Sequence, residues 1–189
     1  MTSNLIPKHE NYCTLLRIPE DRDILTRRLF DVNMRLFNNN EGYRNLVLHC
    51  CEYIRIGAET EKEGYSKPYG FSGANAGVPF NIIATADGTV FINPKIVETS
   101  WNMVETLSNC GSLLLPEPIK IKRYANVKVT YFDIMGNQRS ISGRLATLQH
   151  EIDHNNGILI TDRATEAIDV ARLLDSEEDS GGGVEGVRS

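Results

Sequence analysis

At 189 residues, with 41% hydrophobic and 24% charged residues, the chain has the size and composition of one folded domain rather than of a disordered or membrane-spanning protein. Its formal charge of -5 and pI near 5.4 argue against an electrostatic grip on nucleic acid, which needs a surplus of Lys and Arg to neutralise phosphates. The apolar runs are too short to span a bilayer, and the opening MTSNLIPKHE has neither the apolar core of a secretory signal nor the Arg-rich bias of a transit peptide, so a cytoplasmic protein with no membrane contact is expected.

In chain order, Ile24, Leu25, Leu29, Val32, Leu36 and Phe37 recur at helical spacing and predict one surface helix from Asp21 to Asn39, stopped by the NNN run. A second helix is expected from about Tyr43 to Ile56. It carries Cys50 and Cys51 in an apolar stretch, where they read as buried core thiols. With Cys13 and Cys110 they make four cysteines, which with no export signal recognisable at the opening are expected to be free thiols or ligands rather than a disulfide framework. The charged ETEKEGYSKP, with Gly64 and Pro68, marks a loop.

From Asn81 the pattern turns to β: NIIATA and TVFINPKIV flank Asp87-Gly88, the signal of a two-residue hairpin. IKIKRYANVKVTYFDIMGNQRSIS predicts two or three antiparallel strands with one exposed face. A helix then runs from about Gly143 to Asn156, ended by Gly157 at its C′ position. A last amphipathic segment, ATEAIDVARLLD, precedes an acidic, Gly-rich tail over residues 175–189 that is expected to be disordered. The pattern is that of a single α+β domain over residues 1–174, with a helical N-terminal region at about 20–58 and one central helix packed on an antiparallel sheet.

The chemistry concentrates on that helix. In LATLQHEIDHNNG, His150 and His154 stand four residues apart, so both imidazoles leave one face and can share a metal ion. Glu151 lies roughly 100° round the helix, outside the coordination shell but within reach of a water beside the metal, where a general base belongs. An ordinary amphipathic helix with an exposed polar face competes with this reading, because Leu145, Leu148 and Ile152 form an apolar stripe. A catalytic metal site also needs a third protein ligand. His9, His49, the other cysteines and the carboxylates compete for that place with Cys110, which sits in the glycine-flanked loop SNCGS.

QHEIDHNNGILITDR resembles the signature of the peptide deformylases, and the likeness extends upstream. GFSGANAGVP is similar to the first family motif, usually GxGxAAxQVG, and VFINPKIVE to the strand after it. SNCGS resembles the second motif, EGCLS, so a motif core covers about residues 68–163 in the expected order. The resemblance implies antiparallel sheets around the HExxH helix and hydrolytic removal of the formyl group from N-formyl-Met nascent chains. It implies Cys110, His150 and His154 as ligands of one divalent ion, Fe²⁺ in vivo with Zn²⁺, Ni²⁺ or Co²⁺ able to replace it, and Glu151 as the acid and base.

It further implies the Gly111 N–H and the Asn75 amide as oxyanion donors, and Tyr69 and Gly70 as the backbone that pairs with bound peptide. Ala146 and Thr147 would line the methionine pocket. Contact with the ribosome and a monomeric state are the corresponding expectations for partners. The sequence departs from the pattern at Asn75, one methylene or about 1.5 Å shorter than the usual Gln. Pro68, Ser72, Gly73, Ser108, Asn109 and Gly111 also replace the usual residues, and two extra residues separate Ser112 from Pro116. Two other functions remain: an endopeptidase with Glu166 as third ligand, and a catalytically silent peptide-binding module on the same fold.

Overall fold

The computed structural model describes residues 16, 20–60, 69–113, 115 and 117–166. The predicted 175–189 tail, all of ATEAIDVARLLD after its first three residues and all of the ETEKEGYSKP loop after its first two lie outside the described residues. The helical region comprises α1 (Arg22–Leu25), α2 (Met34–Asn39) and α3 (Glu41–Glu59). Asn33 and Asn40 set the starts of the latter two, accepting hydrogen bonds from Leu36 N at 3.1 Å and Tyr43 N at 2.8 Å. Along α3, Val47, Cys50, Cys51, Ile54 and Ala58 repeat at three- and four-residue intervals and pack into a core with Phe37, Phe71 and Val78. Fully buried Val47 and Ile54 contribute about 1.5–3 kcal/mol each.

The single helix predicted for Asp21–Asn39 is therefore wrong. Between α1 and α2 the chain is extended: Phe30 bridges Phe80, and the Asn93 side chain brackets Val32, accepting from its N–H at 2.7 Å and donating to its carbonyl at 2.8 Å. These long-range hydrogen bonds outweigh the local helical period.

Five strands form one antiparallel sheet in the order β1 (Gly70–Ser72), β2 (Ile82–Thr85), β3 (Val90–Thr99), β6 (Val127–Phe132) and β7 (Gln138–Gly143). β4 (Met103–Ser108) and β5 (Ile119–Tyr124) make a separate antiparallel pair. β4 has no counterpart among the predicted strands. The β2–β3 loop is one residue longer than the Asp87-Gly88 signal implies: Thr85 N donates to Thr89 O, leaving Ala86, Asp87 and Gly88 as a three-residue loop with Gly88 at φ +84. β7 is exposed along almost its whole length because it is the sheet's outer strand, so the expected one-sided exposure holds for β6 but not for β7.

Helix α4 (Ala146–Asn155) packs against β1, β2, β3 and β5. It starts later than the predicted Gly143, because Gly143 is still paired with Val127 in β7 and Leu145 takes a left-handed turn at φ +35. Gly157, at φ +74, ends it as expected, its N–H donating to His154 O at 2.9 Å.

Cys50 and Cys51 are core thiols, and burial pushes them up to about 11 and about 12. At pH 8 both are then protonated, the unreactive form. Maleimide labelling of the native protein, mapped by mass spectrometry, should leave both sites nearly unmodified while the urea-unfolded chain reacts fully. Equal labelling of the two states would contradict the packing of α3.

Candidate active site

Helix α4 is buried from Leu148 to Asn155 except at half-buried His150. Leu148 and Ile152 join Ile83, Phe91, Val127 and Val129, yet Gln149, Glu151, Asp153, His154 and Asn155 are buried as well. The competing picture of an exposed polar helix face is thereby removed. Buried polar groups cost free energy unless paired, and the pairs here anchor the helix. Gln149 Oε1 accepts from Tyr124 N at 3.1 Å while its Nε2 donates to Tyr124 O at 3.1 Å and Arg144 O at 2.9 Å, fixing the first turn to β5. Asn155 Nδ2 donates to Ile82 O at 3.1 Å and its Oδ1 accepts from Ala74 N at 3.3 Å, fixing the last turn to β2 and the loop after β1.

His150 Nε2 and His154 Nε2 lie 3.1 Å apart, and Cys110 Sγ is 3.3 Å from His154 Nε2. All three potential ligand atoms fall within 4.8 Å of one another, the one such group of three or more among the described residues. Metal–nitrogen bonds near 2.0–2.1 Å in a tetrahedron put nitrogens about 3.3 Å apart, so the spacing fits a single ion. Two imidazoles and a thiolate suit Fe²⁺, Zn²⁺, Ni²⁺ or Co²⁺ and not Ca²⁺ or Mg²⁺.

The electrostatics agree. Burial, then the neighbouring His154 and Arg123, hold His150 well below the usual imidazole range, and burial brings His154 down to about 4. Both rings are neutral at pH 7, the form that ligates. Burial pushes the Cys110 thiol up to about 12 against hydrogen bonds from the Ser112 and Leu113 N–H groups. Such a thiol ionises only beside a cation.

Glu151 is 5% exposed and burial raises it to about 8, countered by the Ser72 hydroxyl and by Arg123. Its Oε2 is buried without a hydrogen-bond partner, an atom positioned to receive a proton. Gly70 makes room for it: a Cβ there would stand 2.9 Å from Glu151 Cγ and 2.8 Å from Thr147 Cγ2. Gly70→Ala should therefore displace the carboxylate and lower turnover of a hydrolysable substrate by about 10²-fold, as an ångström-scale misplacement does. Metal content should stay unchanged; unaltered turnover would show that the Glu151 position is immaterial.

Three residues that carry the site escaped the sequence reading. Asp153 accepts from buried Arg123 through one oxygen and from Arg163 Nη2 at 2.7 Å through the other. Arg123 Nη2 also approaches His150 Nδ1 at 3.5 Å, too far for a firm hydrogen bond but close enough to press on its charge. A signal existed: Ile119, Ile121 and Arg123 share one strand face, and an Arg on an apolar face needs a buried partner.

Asn75 does reach the Cys110 loop, its Nδ2 donating to Ser112 Oγ at 2.7 Å. Gly111 is exposed in the turn after Cys110, and Gly70 and Thr147 border Glu151. Tyr69 and Ala146 are exposed. Glu166, the ligand an endopeptidase would need, is exposed, pairs with Lys120 Nζ at 3.3 Å and is not part of the Cys110, His150, His154 group.

The polypeptide deformylase family model matches residues 53–168. Among characterised proteins, the peptide deformylase of Brucella suis is 43% identical over 77 residues, 39% of this chain and 43% of that protein. That of Thermoanaerobacter pseudethanolicus is 37% identical over 102 residues, 51% of this chain and 58% of that one. The chain thus spans about half the length of the curated relatives it matches. Among solved structures, Plasmodium falciparum peptide deformylase in complex with an inhibitor aligns with a TM-score of 0.63 at 25% identity, over 87% of this chain and 96% of that one. A Synechococcus elongatus peptide deformylase in complex with actinonin aligns with a TM-score of 0.67 at 20% identity, over 94% and 92%. The α+β architecture expected from sequence, antiparallel sheet around the HExxH helix, is the fold observed.

Proposed function

As the chain belongs to the polypeptide deformylase family, we propose that it hydrolyses the N-formyl group from formyl-methionyl nascent chains. The observation that carries this reading is the meeting of Cys110 Sγ with the two imidazole Nε2 atoms beside the unpartnered Glu151 Oε2. A divalent cation held by Cys110, His150 and His154, Fe²⁺ in the cell, would supply Lewis acidity and bring the pKa of a neighbouring water toward neutrality. Glu151 takes the proton of the attacking water at Oε2 and later delivers it to the leaving amine. The Gly111 N–H and the Asn75 amide stand as donors to the developing oxyanion.

Gly70, at the free edge of β1, offers backbone to a peptide in extended form, with Tyr69 beside it. Thr147 and Ala146 border the methionine side chain. In this reading a single catalytic domain over residues 1–174 acts as a cytoplasmic monomer, and its substrate would bring it to the ribosome. No described helix is long and apolar enough to cross a membrane.

The test is an assay of anaerobically prepared, Fe²⁺- or Co²⁺-loaded protein on a formyl-methionyl peptide, with release of formate as the readout. Cys110→Ala should lose both bound metal and turnover. Full metal content after that change would sink the assigned ligand set, and metal binding without hydrolysis in the unsubstituted protein would favour the silent peptide-binding module.

A further inference from the structure

Ser72 lies at the end of β1, fully buried, between Asn75 and the carboxylate of Glu151. Its backbone N–H donates to Asn75 Oδ1 at 3.2 Å and its hydroxyl makes a second, short hydrogen bond to the same oxygen. A backbone N–H can only donate, so the amide must present its oxygen to Ser72. Asn75 Nδ2 is thereby turned toward Ser112 Oγ at 2.7 Å, and Ser112 is itself 1% exposed beside Cys110. The three side chains form one buried polar chain from the base on α4 to the loop that bears the thiol.

We propose that Ser72 is a positioning residue that locks the Asn75 carboxamide with its NH₂ toward the Cys110 loop, so that Ser72 and Asn75 act as one unit. Volume makes the same point. Exchanging Ser-Asn for Ala-Gln moves one heavy atom from the first side chain to the second and leaves the total unchanged. Asn75 is only 5% exposed, so a longer amide has no room while the Ser72 hydroxyl is present. Removing the hydroxyl alone leaves the amide oxygen held only by the backbone N–H of residue 72, which loosens its aim, and opens a void beside it.

The experiment is a double-mutant cycle in the full chain, S72A, N75Q and S72A/N75Q, since only such a cycle apportions a buried network. Its kinetic arm rests on the deformylase reading. With Co²⁺-loaded protein and a formyl-methionyl dipeptide, each single change should lower kcat by at least about tenfold with little change in KM, as for a misaimed oxyanion donor. The double change should recover to within about threefold of the unsubstituted protein. A double loss equal to the product of the single losses would overturn the proposal, as would a single change with no effect. Melting temperatures of the metal-free proteins give the second readout, independent of activity: each single change should lower Tm by about 2–4 °C and the double by less than either. If the unsubstituted protein proves inactive, the deformylase reading falls, while additive Tm losses would still refute the Ser72–Asn75 unit and recovery would still support it.

Discussion

Glu151→Gln should lower turnover by about 10²–10⁴-fold, the usual contribution of a positioned acid and base, while leaving bound metal at the level of the unsubstituted protein. Gln is isosteric and keeps the packing against Gly70, so the change removes proton transfer and little else. It also removes a buried group held up at about 8, which costs stability at any pH above the ordinary carboxylate range, so Tm at pH 7 should stay level or rise. That opposition of activity and stability marks a group retained for chemistry. Turnover within about threefold of the unsubstituted protein would remove Glu151 from the mechanism; a fall in metal content would make it a ligand instead.

Asp153→Ala should be the most damaging change to stability. Arg123 and Asp153 are both buried, and removing the carboxylate strands the guanidinium, at a cost of about 3–5 kcal/mol. For a domain of this size that corresponds to a Tm drop on the order of 10 °C. The loss should come mainly from the stranded charge rather than from the lost attraction, so adding Arg123→Met to Asp153→Ala should recover much of it. Urea unfolding of the two single variants and the double decides: a double variant less stable than Asp153→Ala alone would mean that Arg123 is supported by something other than Asp153.

The contrast between helix α4 and the N-terminal segment shows what local sequence can carry. His150, Glu151 and His154 lie on one helix, so their relative placement follows from the 3.6-residue period and could be read directly. Cys110 comes from a different element and joined them through the order of the motifs; the 3.3 Å approach to His154 depends on how the β4–β5 pair docks. The predicted helix from Asp21 to Asn39 failed for the complementary reason. Its period was real, but Asn93 and Phe80, more than forty residues away in sequence, supply backbone partners that no local window contains. Asp153 was visible between the histidines, yet its partners Arg123 and Arg163 lie on a strand and a 3-10 turn, and only the folded chain brings them to one carboxylate.

The side chains around the site are rooted in three separate apolar bodies. Phe71, between Gly70 and Ser72, belongs to the core under α3. Cys110 belongs with Leu25, Leu113, Leu115, Ile121, Leu159 and Ile160. Leu148 and Ile152, which carry the histidine helix, pack with Val127 and Val129. Alignment of the proposed site is thus a matter of registration among three apolar bodies that meet where α4 packs against β1, β2 and β5. A void opened in one of them shifts the side chains it seats relative to those seated in the other two. Tolerance to such voids should be lower for function than for folding, and the chain's freedom to vary its interior is set by alignment before it is set by cohesion.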